Sequence, residues 1–366
     1  MPVRPRTARF LQAYLRGGAG AFREEETTVT VAGEVREATL YLPDRPARAP
    51  GWVVLHGLTV PGRRHLAMTR FVRSLASSGA VVLVPDVPSW RALKLDIGAA
   101  RETLAAGALH LAGHSRVQAG GVGVIGFSFG ATQALIAAAD PRLADALKAV
   151  VGFGGFCDPE RMIRAIFTGE HEWEGVDYRM DPDPYGRWVL AGNYLTLAPG
   201  YEHMQRVQDA ALALAVEAGR RGAFAWEPEY DVLKDELRAT LSGDELPVWD
   251  LLAPPSGTPL DDLEGARRLA AAFAEGAVRH DPRVDPRPYF PALHGKITLS
   301  HGREDRLIPF TESLRLTAAL PPQLDASCTI TGLFSHSAGA GGLRPLARAR
   351  ETLTFVRLLN RALYSV

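Results

Sequence analysis

Cysteine is scarce in this chain: Cys157 and Cys328 are the only two among 366 residues. Two thiols exclude a disulfide framework and a cysteine-rich zinc site, and both are expected to be buried and free. An excess of charge is also lacking. Lys+Arg and Asp+Glu are both 41, so the formal net charge is zero. Without a long-range field the protein has no means of holding a nucleic acid or an anionic membrane. Long apolar runs are missing too, and none approaches the ~20 residues of a membrane span. The first twenty residues carry Arg4, Arg6, Arg9 and Arg16 but no continuous apolar stretch, so they do not read as a cleaved signal, and cytoplasmic residence is the expectation. Phe10, Leu11, Tyr14 and Leu15 fall at helical spacing there, which predicts a helical extension over residues 1–20 packed on the protein's own surface. Internal repeats and low-complexity tracts are absent.

What is present is an ordinary globular composition, 46% hydrophobic and 22% charged, in a chain long enough for one large domain carrying an insertion. Residues 27–41 read as two β-segments turning at Gly33. Short apolar runs follow at Trp52 to Leu55, Val81 to Val84, Val122 to Ile125 and Ala149 to Gly152. Between them lie helical stretches near 63–77, 98–111 and 131–139. Fully apolar strands alternating with amphipathic helices predict an α/β fold: a mostly parallel sheet covered by helices on both faces.

The rhythm stops at Cys157-Asp158-Pro159. From there to His294 the sequence offers helical pieces, such as 201–221 and 261–274, joined by Pro-rich links such as Asp181-Pro182-Asp183-Pro184. Four of the six tryptophans lie here: Trp173, Trp188, Trp226 and Trp249. Strand–helix alternation resumes with Ile297 to Ser300, a helix near 311–319, a strand over 327–331 and a helix over 347–364. The predicted organisation is therefore a core in two parts, 1–156 and 295–366, interrupted by a helical cap insertion over 157–294.

The most informative stretch is GVGVIGFSFG, residues 121–130. Gly126-Phe127-Ser128-Phe129-Gly130 fits G-x-S-x-G after an apolar strand and before a good helix, which is the context a nucleophile elbow requires. The turn is so sharp that side chains at 126 and 130 would collide, hence the glycines. The helix that follows aims its N-terminal N–H groups at the place where an oxyanion forms. Gly121, Gly123 and Gly126 also fit G-x-G-x-x-G, but the apolar run lies inside that motif instead of before it, and no acidic residue closes a second strand. A dinucleotide site is set aside on these grounds. Gly152-Phe153-Gly154-Gly155 reads as a tight strand exit.

A serine hydroxyl needs a base, and the base needs an acid to orient it. After the strand at 297 comes HGREDRLIP, and after the strand at 327 comes GLFSHS. At this point the sequence resembles the α/β-hydrolase family over residues 51–155 and 296–362, in the serine esterase-like form with a helical cap. The resemblance implies that Ser128 is the nucleophile, Asp305 the acid and His336 the base, with Glu304 as the alternative acid. It also implies that His56-Gly57-Leu58-Thr59 supplies the oxyanion hole with a backbone N–H from Leu58, the second coming from Phe129. His56 and His301 are expected to shape their loops, and no chemistry is assigned to His280 or His294. The longer H-G-G-G loop of some esterases is absent.

Serine at the elbow, where carbon–halogen and epoxide cleavers of the family use aspartate, favours acyl transfer. The expectation is hydrolysis of a carboxylic ester, or a related acyl compound, on a small-molecule substrate with no metal or organic cofactor. An acyltransferase, a peptidase or a C–C bond hydrolase could use the same three residues. A catalytically silent binding protein of this fold is a further alternative.

Overall fold

The computed structural model describes residues 2–222, 224–333 and 345–366. The chain opens with α1 (Pro5–Leu15) and a hairpin of β1 (Phe22–Val31) and β2 (Glu34–Pro43). Ala32 and Gly33 turn the hairpin with φ of 50° and 86°, the paired positive values of the tight turn that matches strand twist. Next come β3 (Gly51–Leu55), α2 (Leu66–Ser77), β4 (Val81–Pro85), α3 (Pro88–Arg91), α4 (Ile97–Ala112), β5 (Val122–Phe127), α5 (Phe129–Ala138) and β6 (Leu147–Phe153). The intervening segment holds α6 (Pro159–Thr168), a hairpin of β7 (Glu170–Trp173) and β8 (Val176–Arg179), α7 (Pro184–Tyr194), α8 (Gln205–Arg221), α9 (Asp231–Arg238), α10 (Glu245–Leu252) and α11 (Leu263–His280). The chain ends with β9 (Lys296–Gly302), α12 (Phe310–Ala319), β10 (Asp325–Thr331) and α13 (Pro345–Leu363).

Eight strands form one sheet in the order β1-β2-β4-β3-β5-β6-β9-β10. β1 and β2 pair antiparallel and β2 meets β4 antiparallel, while every pairing from β4 through β10 is parallel. The central strands are buried along their whole length because helices cover both faces, which explains their unbroken apolar sequences. Successive side chains alternate between the faces. Val53, Leu83, Val124 and Val150 face α4 and α5, whereas Trp52, Val82, Ile125 and Val151 face α1, α2 and α13.

The predicted N-terminal helix packs on the protein itself. Phe10 is buried against Phe71, ring centres 5.3 Å apart, and Arg4 lies 3.4 Å above the Tyr364 ring. Leu15, expected in the same stripe, points to solvent. The segment after β6 contains no strand of the main sheet among its described residues, but it is not purely helical as predicted. β7 and β8 form a separate two-stranded sheet turned by Glu174 and Gly175 at φ 51° and 78°. Trp188 and Trp249 are fully buried, so two of the four tryptophans there are interior packing. Both cysteines are free, Cys157 buried and Cys328 partly so.

Candidate active site

Ser128 joins β5 to α5 with φ 55° and ψ −128°. A non-glycine residue held there is strained, and such strain persists only where the surroundings impose it. The surroundings are explicit. A β-carbon at position 126 would stand 2.1 Å from the Gly130 carbonyl oxygen, and one at 130 would stand 2.8 Å from the His56 oxygen. The Ser128 N–H donates to the Phe153 carbonyl at 2.7 Å, and the Ser128 carbonyl accepts from Ala131 at 2.8 Å. Phe129 is the first residue of α5, so its N–H has no intrahelical acceptor and lies at the positive end of the helix dipole.

The overlapping glycine motif has a packing explanation. Gly123 lies within β5, where a β-carbon would come 2.3 Å from the Trp52 ring. The strand runs through the motif instead of preceding it, which leaves no loop to cradle a phosphate.

Beside the elbow, at the end of the neighbouring β3, is the loop His56-Gly57-Leu58. A β-carbon on Gly57 would sit 3.6 Å from Ser128 Cβ, so the backbone of this loop borders the serine. His56 is buried and holds the loop: its Nδ1 bonds the Gly57 carbonyl at 2.7 Å, and its Nε2 accepts from the Val87 N–H at 3.0 Å. Both ring nitrogens are thereby used in structure. Leu58 is half-buried next to it.

At the end of β9 the chain turns through Arg303 to Pro309. Asp305 is buried and Glu304 is exposed. One carboxylate oxygen of Asp305, Oδ1, accepts from the N–H groups of Leu307 and Ile308 at 2.9 and 3.1 Å. His301 Nε2 lies 3.5 Å from the other oxygen, Oδ2. That imidazole is itself pinned: Nε2 donates to the Ile308 carbonyl at 2.9 Å, and Nδ1 accepts from the Ser313 hydroxyl at 2.6 Å. Ser128 and Asp305 follow β5 and β9, which run parallel with β6 between them, so both emerge at the same edge of the sheet. β10, parallel to β9, delivers the chain at Thr331 to that edge as well. His336 lies outside the described residues.

Two features of this neighbourhood were not found in the sequence. One is the His301–Ser313 bond beside Asp305. The other is Glu312, buried on the first turn of α12, which accepts the N–H groups of Cys157 and Asp158 at 3.0 and 2.9 Å. Burial pushes its carboxyl up to about 7 against the opposing pull of those two bonds. Burial likewise raises the Cys157 thiol to about 12, which removes it as a nucleophile.

No protein-family model matches the sequence, and a search of curated proteins returns no match. Solved structures do match. Brefeldin A esterase, described as a bacterial homologue of human hormone-sensitive lipase, superposes with a TM-score of 0.51 at 14% identity, covering 95% of this chain and 77% of that one. The chain has the α/β-hydrolase fold. An acylaminoacyl peptidase of Pyrococcus horikoshii gives a TM-score of 0.49 at 13% identity over 96% of this chain, which spans 43% of the peptidase. A putative dienelactone hydrolase of Klebsiella pneumoniae gives 0.48 at 13% identity, covering 93% of this chain and 98% of that one. Within this α/β-hydrolase fold the Ser128 turn, the His56 loop and the Asp305 loop gather at the carboxyl edge of the sheet, where open α/β sheets bind their ligands. Among the described residues no helix is long and apolar enough to cross a membrane.

Proposed function

We propose that this protein is a serine hydrolase that cleaves a carboxylic ester, or a related acyl compound, through an acyl-enzyme on Ser128. The observation that carries the reading is the backbone of Ser128, held at positive φ between two glycines that admit no β-carbon. Strain of this kind is kept where it aims a reactive side chain. In the proposed mechanism His336 takes the Ser128 proton as the hydroxyl attacks the acyl carbonyl, then passes it to the leaving group. Asp305 holds the imidazole in the required tautomer and stabilises the imidazolium. The oxyanion accepts hydrogen bonds from the N–H groups of Leu58 and Phe129, and losing one such donor costs on the order of 10²–10³ in rate. Water then releases the acid. Proton transfer and hydrogen bonding suffice for each step, so the mechanism needs no metal or organic cofactor. Residues 157–294 act as a cap that shapes the acyl and leaving-group pockets and excludes water.

Hydrolysis of a p-nitrophenyl ester series, from short to long acyl chains, tests the reading in wild type and Ser128→Ala. Release that disappears in the variant supports an acyl-enzyme on Ser128, and the chain-length profile sizes the pocket. Release that survives in Ser128→Ala overturns the assignment. A folded wild type inert to every ester would favour another acyl acceptor or a silent binding protein.

A further inference from the structure

Arg306 stands next to Asp305, and four contacts tie it to the segment after β6. Its Nε donates to the Asp181 carbonyl at 2.7 Å, and its Nη2 donates to the Asp181 carboxylate. The guanidinium lies 4.0 Å above the centre of the Trp226 ring, which is stacked on Phe224 with ring centres 4.5 Å apart. The fourth contact is backbone: the Arg306 carbonyl accepts from the Asp183 N–H at 2.8 Å. Asp183 is the N-cap of α7, so this last bond reaches the start of a helix of the intervening segment.

That carbonyl shares a planar peptide unit with the Leu307 N–H. The same N–H donates to Asp305 Oδ1 at 2.9 Å. One rigid plane therefore bonds the intervening segment on one side and the acid carboxylate on the other. Turning it to release Asp183 would also withdraw a donor from Asp305. The ion pair cannot hold this arrangement by itself, because Asp181 is 84% exposed and exposed pairs contribute little. Stacking on Trp226 and the Nε bond to the Asp181 carbonyl are screened less by salt and fix the side chain in a single direction, while the Asp183 bond holds the Arg306 backbone.

We propose that Arg306 is a positioning residue that latches the cap to the acid loop, so that seating of the cap and orientation of Asp305 depend on one another. The proposal rests on the serine hydrolase reading. It gives Trp226 a task other than lining a substrate slot: Trp226 is the platform of the latch.

The test compares wild type with Arg306→Gln, Arg306→Lys and Trp226→Leu, following p-nitrophenyl ester kinetics over pH and tryptophan emission in parallel. Arg306→Gln is expected to lower kcat by roughly tenfold, since small misplacements near the reacting groups are costly. It should also move the acidic limb of kcat/KM to lower pH, because a displaced carboxylate stabilises the imidazolium less. Arg306→Lys keeps the charge but loses the planar fork and the stack on Trp226, so it should stay close to Arg306→Gln, well short of wild type. Trp226→Leu should reproduce the Gln phenotype from outside the acid loop, and it carries the test if Arg306→Gln fails to fold. A wild-type kcat and pH profile in both Arg306→Gln and Trp226→Leu overturns the proposal. If wild type releases no ester at all, the hydrolase reading fails. The latch is then judged by emission alone: a shift on Arg306→Gln that is absent in a Trp226→Leu background supports it, and unchanged emission overturns it.

Discussion

Adjacent acids in the loop after β9 have opposite environments, and the difference favours Asp305 over Glu304 as the acid of the proposed triad. Glu304 points to solvent, whereas Asp305 is buried with two N–H donors on one oxygen and the His301 ring near the other. A carboxylate held in this way has its direction fixed before any base arrives, which is what an orienting acid requires. Asp305→Asn is isosteric, but it cannot stabilise an imidazolium and can select the wrong tautomer. It should lower kcat by about 10³–10⁴ with little change in melting temperature. Glu304→Gln should stay within about twofold of wild type, the usual insensitivity of an exposed site. A reversal of the two results in ester kinetics would move the acid to Glu304. In the sequence only the family-like spacing of HGREDRLIP favours Asp305, since both acids follow the same strand. Burial distinguishes them in the structure, and it depends on how Leu307 and Ile308 fold back over the Asp305 carboxylate. The sharp turn at Ser128 was legible, in contrast, because the collision that demands Gly126 and Gly130 is local to five residues.

At the scale of elements, α12 links the acid loop to the start of the intervening segment. Glu312, on its first turn, accepts the N–H groups of Cys157 and Asp158 just before α6. Burial raises its carboxyl from the ordinary 4.5 to about 7, with Asp158 adding to the rise and Arg315 opposing it. The folded protein therefore binds this proton more tightly than the unfolded chain. The group's contribution to stability is fullest below about pH 4.5, declines as pH rises toward about 7, and is flat above that. Glu312→Gln keeps a carbonyl acceptor and carries no charge. Between pH 5 and 8 its melting temperature should rise relative to wild type, by roughly 1–3 °C in all. Parallel curves in scanning calorimetry would show that Glu312 does not titrate in that window. Such a junction is invisible in sequence, since Glu312 and Cys157 are 155 residues apart. The β–α order was visible because strands buried on both faces must be apolar throughout. The β7–β8 hairpin was missed because Glu170 to Arg179 is mostly polar and half-exposed, so its alternation never stands out against a loop.

Across the whole molecule, the apolar interior is less divided than the order of elements implies. One cluster runs from the sheet face through Val124, Phe129 and Phe156 and on into Ile163, Phe167, Trp188, Trp249 and Phe273 of the intervening segment. The segment also bonds the rest of the protein at separated places. Asn193 accepts from the Leu95 N–H at 3.0 Å and donates to the Leu93 carbonyl at 2.8 Å. Arg315 of α12 binds Glu172 of β7, and His171 packs its ring edge-on to Phe310 with centres 5.5 Å apart. The sequence showed an interruption of the strand–helix rhythm but gave no measure of how much apolar surface the two parts share, because shared burial is a property of contacts between distant residues. Replacing residues 158–289 with a short Gly/Ser linker would therefore uncover Phe129, Phe156 and the outer side of α5, whose residues are all buried. A contiguous apolar patch of that kind drives association in water. The shortened chain should lose its cooperative thermal transition and its near-ultraviolet dichroism, and it should elute as aggregate in size-exclusion chromatography. A monomer with a sharp melt close to that of wild type would instead establish the segment as a separable module, and the eight-stranded sheet with α4 and α5 as sufficient to fold alone.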